Sequence, residues 1–227
     1  MSRIRRFHAL PLALSLGLAS ACALASGQDI DKINGSITAE AGQSYGELST
    51  VNGSIRLRDG SRTGNADTVN GSIRGGDDLQ AGSLETVNGS IRLGHRANVS
   101  GHVETVNGSI FIDRGSRIGG DVETVNGGIG LVATEVGGNL ETVTGDVTVG
   151  VGSHVRGGLR VSKPSRSWLP VSFNQRTPRI VIGPNAVVEG DLVFEREVVL
   201  YVHKTARIGA VTGATPIPYD TPTSPRD

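Results

Sequence analysis

The stretch ETVNGSIRL, residues 85 to 93, decides the reading of this chain, because near-copies of it recur along most of its length. The anchor [IV]-[NT]-G begins at Ile33, Val51, Val69, Val87, Val106, Val125 and Val143, in steps of 18, 18, 18, 19, 19 and 18 residues. A fixed period of this length is the mark of stacked structural units rather than of one unique pocket. Each copy divides into three short segments. In the fourth copy they are VNGSIR, LGHRAN and VSGHVET, and in the fifth VNGSIF, IDRGSR and IGGDVET. Apolar residues two or four apart, within short runs punctuated by glycine, predict strands and not helices.

Three short strands per repeat describe one turn of an all-β, single-stranded triangular parallel β-helix with 18–19 residues per coil. Each strand pairs with its equivalents in the coils before and after, about 4.8 Å away. No coil buries its apolar face alone, so the repeat solves one packing problem many times over. Three inward columns are expected: Val51, Val69, Val87, Val106, Val125 and Val143; Ile55, Ile73, Ile91, Ile110, Ile129 and Val147; and Leu48, Ala66, Leu84, Val103, Val122 and Leu140. Asn-Gly supplies the turn, since both residues tolerate left-handed backbone. The asparagines at 34, 52, 70, 88, 107 and 126 stand where stacked amides form a ladder. The Asn-x-Ser glycosylation triplets are a by-product of this turn chemistry.

The pattern breaks after Val161. SKPSRSWLPVSFNQRTP, residues 162–178, carries three prolines and reads as an insertion looping out of one coil. Trp168 and Phe173 stand there in a chain that is only 4% aromatic, which makes them candidate anchors for a sugar or protein partner. A six-residue rhythm follows through Ile182, Val188, Phe194, Leu200 and Ala206, so residues 179–212 read as further coils. TPIPYDTPTSPRD closes the chain, and residues 213–227 are expected to be a disordered tail.

The other end reads as a leader. Arg3, Arg5 and Arg6 precede the apolar run from Leu10 to Leu18, and Ala23-Leu24-Ala25 fits the small-x-small cleavage rule, so residues 1–25 are expected to be a signal peptide and residues 26–161 the main solenoid. Cys22 closes LASAC, which resembles the lipid-attachment box of bacterial lipoproteins, with Leu18 one place too far back. Cleavage after Ala25 leaves a periplasmic or extracellular protein. Lipidation at Cys22 leaves one anchored to the outer membrane. The single cysteine offers no internal disulfide in either case.

With 22 basic and 22 acidic residues there is no global field to attract nucleic acid. Outside the leader, His95, His102, His154 and His203 share no metal-ligand spacing, and there is no nucleophile elbow or phosphate-cradling loop. GGDD, Gly75 to Asp78, lacks the periodic aspartates of calcium-binding coils and reads as a turn. No catalytic residue, cofactor or metal is therefore assigned, and the chain is expected not to be an enzyme. A polysaccharide-active β-helix enzyme is the lesser alternative. Arg56, Arg74 and Arg92 fall at equivalent places in successive coils and read either as part of a solvated, charge-mixed surface or as a candidate basic stripe for anionic envelope polysaccharide. The threonines at 50, 68, 86, 105, 124 and 142 form another row, beside charged residues that suit an ice-binding face badly.

ETVNGSIRL together with TVTGDVTV resembles the adhesin family of bacterial β-strand-repeat proteins, and IGPNAVVEGDLVF is similar to the bactofilins, which are polymer-forming β-helical scaffolds. The first resemblance implies a cell-envelope module for adhesion or surface structure. The second implies self-assembly by end-to-end stacking of coils. Neither carries catalytic positions with it.

Overall fold

The computed structural model describes residues 27–164 and 176–223. Every strand in it pairs in parallel, and the strands fall into three sheets that wrap one axis. Sheet A has ten strands, from Gln28–Asn34 to Val211–Thr212; sheet B has ten, from Ile37–Ala39 to Ile217–Tyr219; sheet C has seven, from Gln80–Ala81 to Arg207–Ile208. Isolated bridges from Ser44 to Arg62 and from Arg62 to Gln80 continue sheet C toward the first coil. The order along each sheet takes every coil in turn, so the chain is a triangular parallel β-solenoid of ten coils.

Register explains the repeat. Leu84 lies beside Val103 and Val103 beside Val122 in sheet A, and Ile91 lies beside Ile110 and Ile110 beside Ile129 in sheet B. Leu48, Leu84, Val103, Val122 and Leu140 are fully buried, as are Ile55, Ile73, Ile91 and Val147. Sheet C contributes Val99, Ile118, Val136 and Val155 to the same core. Removing each such aliphatic from water stabilises the fold by roughly 1.5–3 kcal/mol.

The valine column is a correction. Val51, Val69, Val87, Val106 and Val143 are only half-buried, and Val125 and Ile33 are exposed, so this column lies on the outer face of sheet A. The inward place is taken by Thr50, Thr68, Thr86, Thr105, Thr124 and Thr142, which are at most 4% exposed. Strand alternation is the reason. With Leu84 facing in, Glu85 faces out, Thr86 in and Val87 out. The threonine row is thus core rather than surface, which removes the ice-binding alternative.

The turn that follows shows why the motif reads Thr-Val-Asn-Gly-Ser. Thr86 Oγ1 donates to the Gly71 carbonyl of the preceding coil at 2.8 Å, and the same bond recurs from Thr68 to Gly53 and from Thr105 to Gly89. A buried hydroxyl is thereby satisfied in an apolar column. Gly89 is required for space: a Cβ there would come within 1.9 Å of the Gly71 oxygen. The asparagines form the expected ladder, with Asn88 Nδ2 donating to Asn70 Oδ1 at 2.9 Å and Asn107 Nδ2 to Asn88 Oδ1 at 2.9 Å. The serines form a second ladder, in which the Ser90 amide donates to Ser72 Oγ at 3.3 Å and the Ser109 amide to Ser90 Oγ at 3.1 Å.

The segment expected to be an insertion, 162–178, falls between Leu159–Val161 of sheet A and Arg179–Ile182 of sheet B, at the corner where other coils hold this Asn-Gly turn, and its residues 165–175 lie outside the described residues. The faces continue undisturbed, with Val147 beside Ile180 and Leu159 beside Leu192. The described flanks of the insertion are tied down: Ser162 Oγ donates to Glu141 at 2.8 Å, and the Arg179 amide donates to Asp146 at 2.8 Å. Trp168 and Phe173 lie outside the described residues, as do Cys22 and the leader.

The expected disordered tail needs revision as well. Ile217–Tyr219 is a strand, paired with Val199–His203. Tyr219 is 8% exposed, sits edge-on to His203 at 5.0 Å between ring centroids, and donates its hydroxyl to the Ile182 carbonyl at 3.3 Å. An aromatic ring able to cover the last coil has outweighed a composition rich in proline.

Candidate functional site

Two outward faces carry organised charge. On sheet B, the strands Ile55–Leu57, Ile73–Gly75 and Ile91–Leu93 send their isoleucines inward, and parity turns the middle residue out. Arg56 therefore lies beside Arg74, and Arg74 beside Arg92, one strand apart. All three are exposed. Among the described residues no carboxylate lies within ion-pair distance of any of them, whereas neighbouring Arg58 pairs with Glu40 at 3.1 Å. Phe111 takes the next place in the row, and the Arg92 guanidinium stands 5.3 Å from its ring centroid.

Arg56 and Arg74 also border a recess of about 480 Å³, lined in addition by Ala41, Leu57, Arg58, Asp59, Gly75 and Gly76. Gly75, part of this lining, stands where the inward-facing Leu57 and Leu93 stand in the adjacent coils. Leu79 has moved into the vacated core, so a Cβ at position 75 would meet its Cδ2 at 2.1 Å. Like charges directly opposite one another in a sheet are unfavourable, by about 1 kcal/mol or less per pair in water. Nothing in the packing of the coils calls for three arginines here, and an anionic chain laid along the solenoid would relieve their repulsion.

On sheet A, Asp67, Glu85, Glu104, Glu123 and Glu141 stand in register on five successive strands, all half-buried. Register alone brings these five carboxylates together. Burial, and then the charges of Glu141, Glu104 and Asp121, push the Glu123 carboxyl up to about 7, against the opposing pull of His102. Burial, and then Glu85 and Glu47, push Asp67 up to about 6. Burial also raises Glu104, with Glu85 adding to it, and Glu141, where the Ser162 hydroxyl and Arg160 oppose the rise. His102 Nε2 contacts Glu85 Oε1 at 2.7 Å. The aliphatic column from Ile33 to Val143 runs alongside, two residues further on.

The remaining polar clusters are structural. Asp77 and Asp78 of GGDD belong to a turn, with Asp78 at φ 56°; Arg96, at the same place one coil on, has φ 54° and binds Asp78 at 2.6 Å. His95 sits between Asp77 at 3.2 Å and Asp113 at 3.4 Å, and His154 contacts Glu189 at 2.6 Å. Among the described residues there is no group of three or more His, Cys, Asp or Glu able to hold a metal ion. No protein-family model, curated protein or solved structure matches this chain.

Proposed function

We propose that this chain is a non-enzymatic, exported module of the cell envelope, serving adhesion or surface structure through contact with an acidic polysaccharide. The observation that carries this reading is the in-register row of Arg56, Arg74 and Arg92, which has no carboxylate partner among the described residues, along a rigid face open to solvent and bordered by a recess. Guanidinium groups match carboxylate and phosphate geometry, and their spacing of one strand suits a repeating polyanion better than a compact ligand. The leader-like pattern of residues 1–25 and the LASAC box support a location outside the cytoplasm, either released or held at the outer membrane through a lipid on Cys22.

Binding of polygalacturonate and of uncharged dextran, compared by calorimetry, tests the reading. The polyanion is expected to bind in a salt-sensitive manner and dextran not to bind. Arg56→Glu/Arg74→Glu is expected to abolish polyanion binding while the unfolding temperature stays within a few degrees. Undiminished binding by that variant would overturn the assignment. Fractionation of cells expressing the protein and its Cys22→Ser variant decides between release and lipid anchoring.

A further inference from the structure

The two charged faces are complementary, and each holds charges without an ionic partner among the described residues. Among the described residues no basic side chain pairs with Glu104 or Glu123, and no acidic one with Arg56, Arg74 or Arg92. Both rows are built on the same strand repeat, so their charges share one spacing. The arginine row occupies the second to fourth strands of sheet B and the carboxylate row the third to seventh of sheet A. A stagger of about two coils, about 10 Å, sets Arg56, Arg74 and Arg92 opposite the middle of the carboxylate row. The aliphatic column beside the carboxylates is left partly open in the single chain, with Ile33 and Val125 its exposed members.

We propose that copies of this chain dock side by side, the sheet-A carboxylate face of one against the sheet-B arginine face of a second. The contact pairs opposite charges along both rods and covers the valine column. Each contact leaves an arginine face free on one copy and a carboxylate face free on the other, so the contact is heterologous and grows into a ribbon or closes as a ring. The ends of the rod direct association the same way. Lys32 stands in register with Thr50, at the head of the buried threonine column, and donates to the Ser36 carbonyl of its own coil at 2.9 Å. At the other end the edge strand Ile217–Tyr219 carries Pro218, which has no N–H to offer. Inward charge and edge proline are both devices that discourage pairing at a sheet edge. This contact uses the arginine row also assigned to polysaccharide, so polyanion and second copy compete for it.

Sedimentation velocity of the purified protein tests the proposal between about 0.05 and about 0.5 M salt, across which the screening length falls about three-fold. Association is expected at low salt, weakening at least ten-fold at high salt. Arg56→Glu/Arg74→Glu and Glu104→Lys/Glu123→Lys should each be monomeric, and an equimolar mixture should reassemble with the two variants in equal amounts. Only a contact between these two faces predicts that rescue. A protein that is monomeric at low salt, association that survives both variants, or a mixture that fails to reassemble would overturn it. Should a reversed row prevent folding, Arg56→Gln/Arg74→Gln and Glu104→Gln/Glu123→Gln replace the reversals, and each should weaken association about ten-fold. Glu104→Lys/Glu123→Lys leaves the arginine row intact and should still bind polygalacturonate, so self-association and polysaccharide binding can each fail without the other.

Discussion

Thr86 Oγ1 donates to the carbonyl oxygen of Gly71, one coil away, at 2.8 Å. That oxygen also occupies the space a side chain at position 89 would need, so one atom imposes two residue choices on the repeat.

Thr86→Val preserves shape but withdraws the donor, and is expected to cost about 1–3 kcal/mol. Gly89→Ala forces a Cβ against backbone that cannot rotate away, and is expected to cost about 3 kcal/mol or more. Urea titrations should rank the alanine variant as the less stable. A Gly89→Ala protein as stable as the parent would contradict the stacking of these turns.

The two faces of one coil should respond oppositely to the same polar substitution. Ile91 is fully buried, and Ile91→Ser is expected to remove about 3–5 kcal/mol. Val87 faces outward, and Val87→Ser should change stability by less than about 1 kcal/mol. Comparable losses in thermal unfolding would mean that the strand parity is wrong.

Acidification should stabilise the protein. Glu123 holds its proton up to about 7 when folded, against 4.5 for a free side chain, and Asp67 up to about 6 against 3.8. Below the free values both states are protonated and the crowded row costs nothing. As pH rises through the interval to about 7, the folded chain must ionise Glu123 against Glu104, Glu141 and Asp121, and stability declines. Hydrogen bonds from Arg96 and Arg117 hold Asp78 and Glu135 below the ordinary carboxylate range, so the stability they contribute is lost only in more acidic solution. The unfolding temperature should fall between pH 5 and pH 8, and Glu123→Gln should reduce the slope. A flat profile in the parent protein would rule out the crowded row.

Identical residues at a fixed step made the coil legible before any coordinates. Side chains such as Asn70, Asn88 and Asn107 must stack if coils do, and the amide ladder followed. Parity was equally available: Leu84 and Val87 lie three residues apart in one strand and cannot face the same side. Hydrophobicity was the misleading cue, because it favoured Val87 over a threonine whose burial depends on an acceptor in another coil. The raised Glu123 carboxyl was not legible, since it arises first from burial and then from crowding between residues 19 or 18 positions apart. The place of Leu79 in the core beside Gly75 was hidden for a similar reason, since it depends on packing rather than on the repeat.

The corners absorb the largest change in chain length. The step from Val147 to Ile180 spans 33 residues where other coils take 16 to 20, yet both residues keep their places in the ladder. The extra residue of the 19-residue coils also falls at a corner, where Ser100, Gly101 and His102 stand between Val99 and Val103 while only Gly82 and Ser83 separate Ala81 from Leu84. Inheritance can therefore act on the two parts of this molecule separately. Whole coils duplicate to lengthen the rod, and corner segments are gained or lost without altering what the faces display. The same property makes the sheet A to sheet B corner a natural place to graft a foreign peptide, presented at a chosen height on a rod whose charged faces stay as they are.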